Sequence, residues 1–234
     1  MIINNYNNIH NLPKPKAILF DLDGTLADTA FDLTSAINKM RQKRNLEAMP
    51  SEYLRNFASQ GAAGLLWAGF GINPTQDDFK AYQLEFLDIY RSNICEDTVL
   101  FKGVIELLNI LEKNNMPWGI VTNKSTKLTF PLIEELKQKY GMPMPHVIVC
   151  GDTTPYPKPH SAPMLYACEQ LNIPSDAHIW YLGDDIRDTK AARAANMTSI
   201  AAAYGYLGDS SDVKSWNADL IIYNISEINE IFTA

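Results

Sequence analysis

The sequence has few cysteines, and it lacks the cysteine pairs on which disulfide frameworks and zinc sites depend. Its cysteines, Cys95, Cys150 and Cys168, lie far apart, and none belongs to a Cys-x-x-Cys pair. An odd number of isolated thiols argues against a disulfide-stabilised secreted domain and against a zinc centre. At 234 residues the chain is long enough to be stabilised by a buried apolar interior instead.

Long apolar runs and runs of basic residues are missing as well. No apolar run approaches the roughly 20 residues that cross a membrane, and residues 1–16 lack the basic and apolar regions of a secretory signal. The 20 basic and 27 acidic residues give a net charge of −7, so we expect neither nucleic acid nor a membrane among the partners. The sequence predicts a cytoplasmic protein in which the Asn-rich residues 1–16 form a mobile arm.

Apolar strands that alternate with amphipathic helices account for most of the chain. Hydrophobic residues make up 46% of the sequence and charged residues 20%, a balance typical of globular proteins. Continuous apolar strands separated by helices indicate a parallel sheet covered on both faces. The expected fold class is therefore α/β, with a Rossmann-like parallel sheet as its core. The predicted strands are 17–20, 118–122, 147–150, 179–182, 198–202 and 220–223.

This alternation is interrupted between residues 29 and 100. No segment between residues 50 and 94 alternates like a strand, whereas residues 79–90 carry aromatic and aliphatic side chains at helical spacing. We expect that stripe to be the hydrophobic core of the inserted segment. The sequence thus predicts an all-helical cap over 29–100, inserted into a core formed by 17–28 and 101–234.

Small and polar residues break the helical pattern of the cap at Ser59, Gln60 and Gly61. Two interpretations stay open for this segment. It is either a loop whose backbone contacts a ligand or a plain connection between two helices.

Two acidic residues follow the first predicted strand. Side chains alternate along a strand, so Asp21 and Asp23 project from the same side where the strand ends. Like charges this close raise each other's pKa or need a counter-ion, and a divalent metal is the simplest one. Mg²⁺ takes oxygen ligands, and Gly24 lets backbone N–H groups approach a bound anion closely. The alternative is a strand end whose acidic side chains are merely solvated.

Further polar residues are predicted to converge on the same edge, because ligands bind beyond the carboxyl ends of parallel strands. Phosphoryl transfer requires a nucleophile, a metal, a cation, and a hydroxyl with neighbouring amides. Prolines on both sides of Lys158 restrict the direction of that side chain. The residues that would supply these groups are Asp21, Asp23, Thr122, Asn123, Lys158, Asp184 and Asp188.

These segments resemble the motifs of the haloacid dehalogenase-like hydrolase superfamily, in particular its phosphatases with a helical cap inserted after the first strand. The resemblance extends from Ala17 to Phe232. It implies a Mg²⁺-dependent phosphatase that forms an aspartyl-phosphate on Asp21, with Asp23 as general acid and then general base. The expected partner is a small-molecule phosphate ester, and the expected assembly is a monomer or homodimer.

The same resemblance implies roles for the other residues. Thr122 would hydrogen-bond the phosphoryl group, and Lys158 would neutralise both the nucleophile and the phosphate. The Asp23 carbonyl would join the carboxylates around Mg²⁺, and Asp185 is a further candidate for supporting that site. The implied metal residues are Asp21, Asp23, Asp184 and Asp188. The implied substrate-binding residues are Gly24, Asn123, Ser59, Gln60 and Gly61.

Within the superfamily, the cap loop and the strand ends resemble the phosphoglycolate phosphatase branch, some members of which act on N-acetylmuramic acid 6-phosphate. Both substrates carry a carboxylate and a phosphate. We expect 2-phosphoglycolate first, with the amino-sugar acid as the alternative.

Other activities remain to be weighed against a phosphatase. A sugar-phosphate mutase of the same superfamily would share the core residues and differ only in its cap. A phospho-accepting receiver module also uses acidic residues, a hydroxyl and a lysine around Mg²⁺, but it needs no inserted cap. A dehalogenase is disfavoured because it needs neither an acid at the Asp23 position nor a Mg²⁺ cluster.

Overall fold

A six-stranded sheet lies at the centre of the structure, which is a computed structural model that describes residues 9–207 and 212–232. A separate pair of two-residue strands accompanies it. The strands in chain order are β1 (Ala17–Phe20), β2 (Ala27–Asp28), β3 (Val99–Leu100), β4 (Trp118–Val121), β5 (Val147–Val149), β6 (Ile179–Gly183), β7 (Thr198–Ala202) and β8 (Leu220–Ile222).

The strand order β5-β4-β1-β6-β7-β8 places β1 in the middle of the sheet. Every pair in this sheet is parallel, and the chain crosses from one side of β1 to the other between β5 and β6. Phe20 in β1 pairs with Ile120 in β4 and with Leu182 in β6, so the three strands end nearly level. At such a switch in strand order a parallel sheet opens a crevice for ligands.

Most of the remaining described residues are helical. Short 3₁₀ helices cover Ile9–Asn11, Ala58–Gln60, Val213–Trp216 and Ile225–Phe232. The α-helices in chain order are α1 (Ala30–Lys43), α2 (Ser51–Arg55), α3 (Gly61–Phe70), α4 (Phe79–Ser92), α5 (Val104–Lys113), α6 (Thr126–Tyr140), α7 (Ala162–Gln170) and α8 (Ile186–Ala194). None of these described helices is long and apolar enough to cross a membrane.

Alternate residues of a strand point to opposite faces of the sheet, and both sets are apolar and buried here, so helices pack on both faces. Ile18 and Phe20 belong to a core cluster with residues of α5 and α6, whereas Leu19 belongs to a second cluster with residues of α7 and α8. Full burial of such a side chain contributes roughly 1.5–3 kcal/mol relative to exposure. The predicted α/β class with a Rossmann-like parallel sheet is confirmed.

Helices α1–α4 have a hydrophobic core of their own. Ile37 and Met40 of α1 cluster there with Leu66 of α3 and with Phe86 and Tyr90 of α4. The last two residues lie one turn apart, so their rings stack on the same side of α4 with centroids 6.3 Å apart. Among the described residues only helices and their connections occur between α1 and α4, as the sequence predicts.

Strands β2 and β3 were not predicted. They pair antiparallel, Ala27 with Leu100, where the chain enters and leaves the helical segment. Two residues are too few to show a strand pattern in the sequence. The cap boundaries at residues 29 and 100 fall next to this pair and stay a prediction.

The N-terminal arm differs from the prediction over residues 9–16. Ile9 and Leu12 are buried in the larger sheet cluster, because their spacing lets both side chains pack on it. The indole of Trp180 donates a hydrogen bond to the Pro13 carbonyl at 2.9 Å, and the Lys16 N–H donates to the His178 carbonyl at 2.7 Å. Residues 1–8 of the predicted arm lie outside the described residues.

Candidate active site

The carboxyl end of β1 carries Asp21. Its N–H donates to the Leu182 carbonyl of β6 at 2.8 Å, which fixes the backbone at the strand end. Its Oδ1 accepts from the Leu22 N–H at 2.8 Å and lies 2.9 Å from Lys158 Nζ. Within the described residues its Oδ2 accepts no hydrogen bond. One carboxylate oxygen is therefore held in place and the other is available to a ligand.

Lys158 is buried, with 4% of its surface exposed. Its ammonium contacts Asp21 and donates to Asp188 Oδ1 at 2.7 Å and to the Tyr181 hydroxyl at 2.9 Å. Burial disfavours the charged form, but the negative charges of Asp188 and Asp21 outweigh that effect and raise the pKa of Lys158. The side chain is therefore a cation at neutral pH.

Asn123 holds the backbone of Lys158 through both ends of its amide. Asn123 Oδ1 accepts from the Lys158 N–H at 2.9 Å, and Nδ2 donates to the Lys158 carbonyl at 2.9 Å. The side chain thus ties the loop after β5 to the end of β4. The predicted contact of Asn123 with substrate stays a prediction.

Three carboxylates form a cluster beside this lysine. Asp21, Asp184 and Asp188 bring oxygens within 4.8 Å of one another, and three carboxylates against one ammonium leave a formal charge of −2. Burial and the neighbouring negative charges raise the pKa of Asp184 well above its usual range. Burial also raises the pKa of Asp21 to about 7, against the opposing effect of Lys158. The charge and the oxygen donors fit a divalent cation such as Mg²⁺.

Asp184 is oriented by Thr25 and Tyr206 and is approached closely by Gly24. Its Oδ1 accepts from the Thr25 hydroxyl at 3.2 Å, and its Oδ2 accepts from the Tyr206 N–H at 2.7 Å. Gly24 has φ +81°, and a Cβ at this position would lie 2.0 Å from Asp184 Oδ2. The Gly24 N–H donates to the Ala27 carbonyl at 2.9 Å, so this amide is not free for a phosphate. Gly24 instead makes room for Asp184.

Asp188 and Asp185 begin helix α8 with a reciprocal cap. Asp188 Oδ2 accepts from the Asp185 N–H at 3.0 Å, while Asp185 Oδ1 accepts from the Arg187 N–H at 2.8 Å. Burial tends to raise the pKa of Asp185, but hydrogen bonds from Arg187 lower it overall. Asp188 faces the acidic cluster, whereas Asp185 is paired with Arg187.

Asp23 lies apart from the acidic cluster. Its Oδ1 accepts from Lys124 Nζ at 2.8 Å and from the Thr29 hydroxyl. Its carboxylate is outside the group of oxygens around Asp184, and the metal contact expected of its backbone carbonyl stays a prediction. Lys124 and the Thr29 hydroxyl hold the Asp23 carboxylate in a fixed orientation.

A cavity of about 470 Å³ lies over this edge of the sheet. Thr122 lines it and is 3% exposed, with its Oγ1 accepting from the Lys124 N–H at 3.1 Å. The Ser59 hydroxyl is buried and has no hydrogen-bond partner in the part of the chain that the structure describes. All predicted site residues except Gly24 line the cavity, namely Asp21, Asp23, Ser59, Gln60, Gly61, Thr122, Asn123, Lys158, Asp184 and Asp188.

Three cavity residues were missed as site residues by sequence analysis. The sequence did contain a signal for Lys124, because this residue follows Thr122 and Asn123 at a strand end, where site residues are expected. Tyr90 belongs to an apolar stripe and looked like core alone. Arg187 joins the start of α8 to the cap loop, because it pairs with Asp185 and donates to the Ser59 carbonyl.

Comparison with known proteins decides the family. The family model described as haloacid dehalogenase-like hydrolase matches residues 18–202. The chain belongs to this family. Among its curated relatives, the chain is 33% identical to the N-acetylmuramic acid 6-phosphate phosphatase of Pseudomonas putida over 92% of this chain and 95% of that protein. It is 36% identical to the phosphoglycolate phosphatase of Xanthomonas campestris pv. campestris, covering 89% and 92% respectively.

The fold agrees with the family assignment. The crystal structure of a predicted phosphoglycolate phosphatase from Haemophilus somnus matches with a TM-score of 0.81 and 27% identity, over 94% of this chain and 99% of that one. The predicted membership in this superfamily is confirmed, and so is the prediction of a phosphoric monoester hydrolase. A receiver module is thereby excluded.

Proposed function

We propose that this protein is a Mg²⁺-dependent phosphatase that hydrolyses a small carboxylate-bearing phosphate monoester, foremost 2-phosphoglycolate. One observation carries the proposal: Asp21 has one oxygen held by Lys158 and the other unbonded among the described residues, at the edge of the cavity. A nucleophile needs this combination of fixed direction and free electron pair.

Asp21 would act as the nucleophile. A lone pair on its Oδ2 forms a bond to phosphorus, the bond from phosphorus to the ester oxygen breaks, and the electrons of that bond remain on the departing oxygen. Water then attacks the phosphorus of the aspartyl-phosphate, which releases inorganic phosphate and restores the carboxylate.

Asp23 would handle the protons in both steps. It gives a proton to the departing oxygen and later takes one from the attacking water. The Thr29 hydroxyl and Lys124 fix its direction. Two carboxylates close together in the chain can divide the roles of nucleophile and acid because their surroundings differ.

Lys158 and Thr122 would stabilise the transferring phosphoryl group. The Lys158 ammonium already contacts Asp21, so it can also neutralise charge on a phosphoryl oxygen. Thr122 offers a hydroxyl at the adjoining strand end, and the backbone of Asn123 offers an amide.

Mg²⁺ would be held by the carboxylates of Asp21 and Asp184 and by the Asp23 carbonyl, with Asp188 supporting the site. When bound, it supplies a positive charge that offsets the cluster and the substrate phosphate. A buried carboxylate cluster with an uncompensated charge is otherwise costly.

Two observations bear on the substrate. The relatives named above include both phosphoglycolate and N-acetylmuramic acid 6-phosphate phosphatases. The cavity, at about 470 Å³, is large for a two-carbon acid and favours keeping the amino-sugar acid as a second candidate. A mutase of the same superfamily would need a bisphosphate for turnover.

Phosphate release from the two candidate substrates, measured with Mg²⁺ and with EDTA, tests this proposal. We expect turnover with Mg²⁺ and its loss with EDTA, restored by excess Mg²⁺. Preference for 2-phosphoglycolate supports the first candidate, and preference for the amino-sugar acid supports the second. Undiminished turnover in EDTA contradicts the metal requirement. No phosphate release from either ester, together with isomerisation of a sugar phosphate in the presence of its bisphosphate, would indicate a mutase.

A further inference from the structure

The hydroxyl of Tyr90 is buried without a hydrogen-bond partner. Tyr90 lies on α4, is 0% exposed and lines the cavity, and its Oη makes no hydrogen bond with a described residue. A buried hydroxyl normally has a partner, because leaving it unpaired is costly. An unpaired donor at a cavity wall is the arrangement expected when the partner is a ligand.

Lys124 lies beside this hydroxyl with donors to spare. Its side chain is 7% exposed, and its ammonium lies 4.8 Å from the centre of the Tyr90 ring. An ammonium has three N–H donors. The hydrogen bond to Asp23 uses one of them, so donors remain for a ligand that enters beside Tyr90.

The other two cations of the cavity wall are more fully engaged. Lys158 contacts Asp21, Asp188 and the Tyr181 hydroxyl. Arg187 makes two hydrogen bonds to the Asp185 carboxylate and one to the cap-loop carbonyl of Ser59. Lys124 is therefore the cation best able to take a second anion from a substrate.

We propose that Lys124 and Tyr90 together bind the carboxylate of the substrate. This inference rests on the proposed phosphatase function. The ammonium donates to one carboxylate oxygen and the phenol donates to the carboxylate from the cap side. Core and cap thus both contact the departing half of the substrate.

The position of Lys124 sets how far the carboxylate lies from the ester. Nζ is 2.8 Å from Asp23, the residue that would protonate the ester oxygen. A carboxylate on the carbon next to that oxygen stays within reach of Nζ. In N-acetylmuramic acid 6-phosphate the carboxylate is on the far side of a sugar ring, so it would miss this pair.

The test compares kcat/KM for 2-phosphoglycolate with kcat/KM for ethyl phosphate, which has a methyl group in place of the carboxylate. For Tyr90→Phe we expect the ratio of the two values to fall about ten- to hundredfold, the range for a hydrogen bond to a charged group. The ethyl phosphate value should change little. Tyr53→Phe, on the exposed surface of the cap, is the matched control and should leave both values unchanged.

The melting temperature distinguishes a binding role from a structural one. Because the Tyr90 hydroxyl has no partner in the described protein, its removal should leave the melting temperature of the free enzyme unchanged or higher. A marked fall, together with equal losses on both substrates, would overturn the proposal.

A double-mutant cycle tests whether the two residues bind one group. Lys124→Met should also lower the ratio, and the double variant should lose less than the product of the two single losses, because both act on the same carboxylate. Independent, fully multiplicative losses would contradict a shared carboxylate.

The outcomes separate this inference from the proposed function. If the wild type hydrolyses both esters and Tyr90→Phe leaves their ratio unchanged, the carboxylate site is wrong and the phosphatase stands. If the wild type acts on N-acetylmuramic acid 6-phosphate and not on 2-phosphoglycolate, the carboxylate site is again wrong and the phosphatase activity stands. If it hydrolyses none of the three, both fail.

Discussion

Asp21 and Lys158 illustrate how single residues create the site. Both are almost fully buried, and burial alone would neutralise either of them. Their contact keeps the lysine charged and holds one oxygen of the carboxylate. A buried pair of this kind contributes little to net stability, so we infer that it is retained for chemistry.

Gly24 offers a test at the residue scale. Gly24→Ala should weaken Mg²⁺ activation about 10- to 100-fold, the range for changes to residues that orient metal ligands, because the new Cβ would collide with Asp184, the proposed ligand. The Mg²⁺ concentration giving half-maximal phosphate release measures this effect.

Gly71→Ala is the matched control for Gly24. Gly71 also has a positive φ, +70°, but a Cβ there would meet nothing within 4 Å. Gly71→Ala should destabilise the fold by about 1–2 kcal/mol, because a residue with a Cβ is strained at positive φ, without changing Mg²⁺ activation. Equal Mg²⁺ dependence in the two variants would contradict a role for Gly24 in making room for Asp184.

At the scale of elements, an ion pair joins two helices of the predicted cap. Arg44 at the end of α1 donates to both carboxylate oxygens of Glu85 on α4, at 3.2 and 2.6 Å. Hydrogen bonding from Arg44 lowers the pKa of Glu85. Pairs that remain partly exposed contribute about 0.2–1 kcal/mol.

The pH dependence of this pair has a definite sign. Because the folded pKa of Glu85 is lowered, its contribution is present above the unfolded pKa and is lost as the pH falls through the folded value. Glu85→Gln should therefore lower the free energy of unfolding near pH 7. The difference from the wild type should vanish in acid, and urea unfolding at a series of pH values would measure it. A difference that persists in acid would contradict the assignment.

Across the whole molecule, sequence patterns predict the sheet and its polar edge well. Asp21, Thr122 and Asp184 each directly follow an apolar strand, and parallel strands bring their carboxyl ends together whatever their separation in the chain. The substrate roles of these residues stay predictions.

Contacts between distant segments were beyond the sequence. Asn123 holding Lys158, and Lys124 beside Tyr90, join residues from different elements, and no local pattern encodes their meeting. The burial of Ile9 and Leu12 was missed because an Asn-rich composition masked two apolar positions. Gly24 was assigned to phosphate, whereas its amide is used within its own turn.

The central claim is that Asp21 carries the phosphoryl group during turnover. Loss of its nucleophilic oxygen in Asp21→Asn should reduce kcat on the order of 10⁴-fold or more, whereas Asp88→Asn, on an exposed face of α4, should have no effect. Turnover close to that of the wild type in Asp21→Asn would contradict this role.

The most direct measurement is chemical trapping of the intermediate. The enzyme is quenched with acid during turnover and reduced with borohydride, which converts an aspartyl-phosphate to homoserine, and its peptides are then analysed by mass spectrometry. We expect homoserine at position 21 only, dependent on substrate and absent from Asp21→Asn. Homoserine at another aspartate, or none at position 21 during active turnover, would contradict the account.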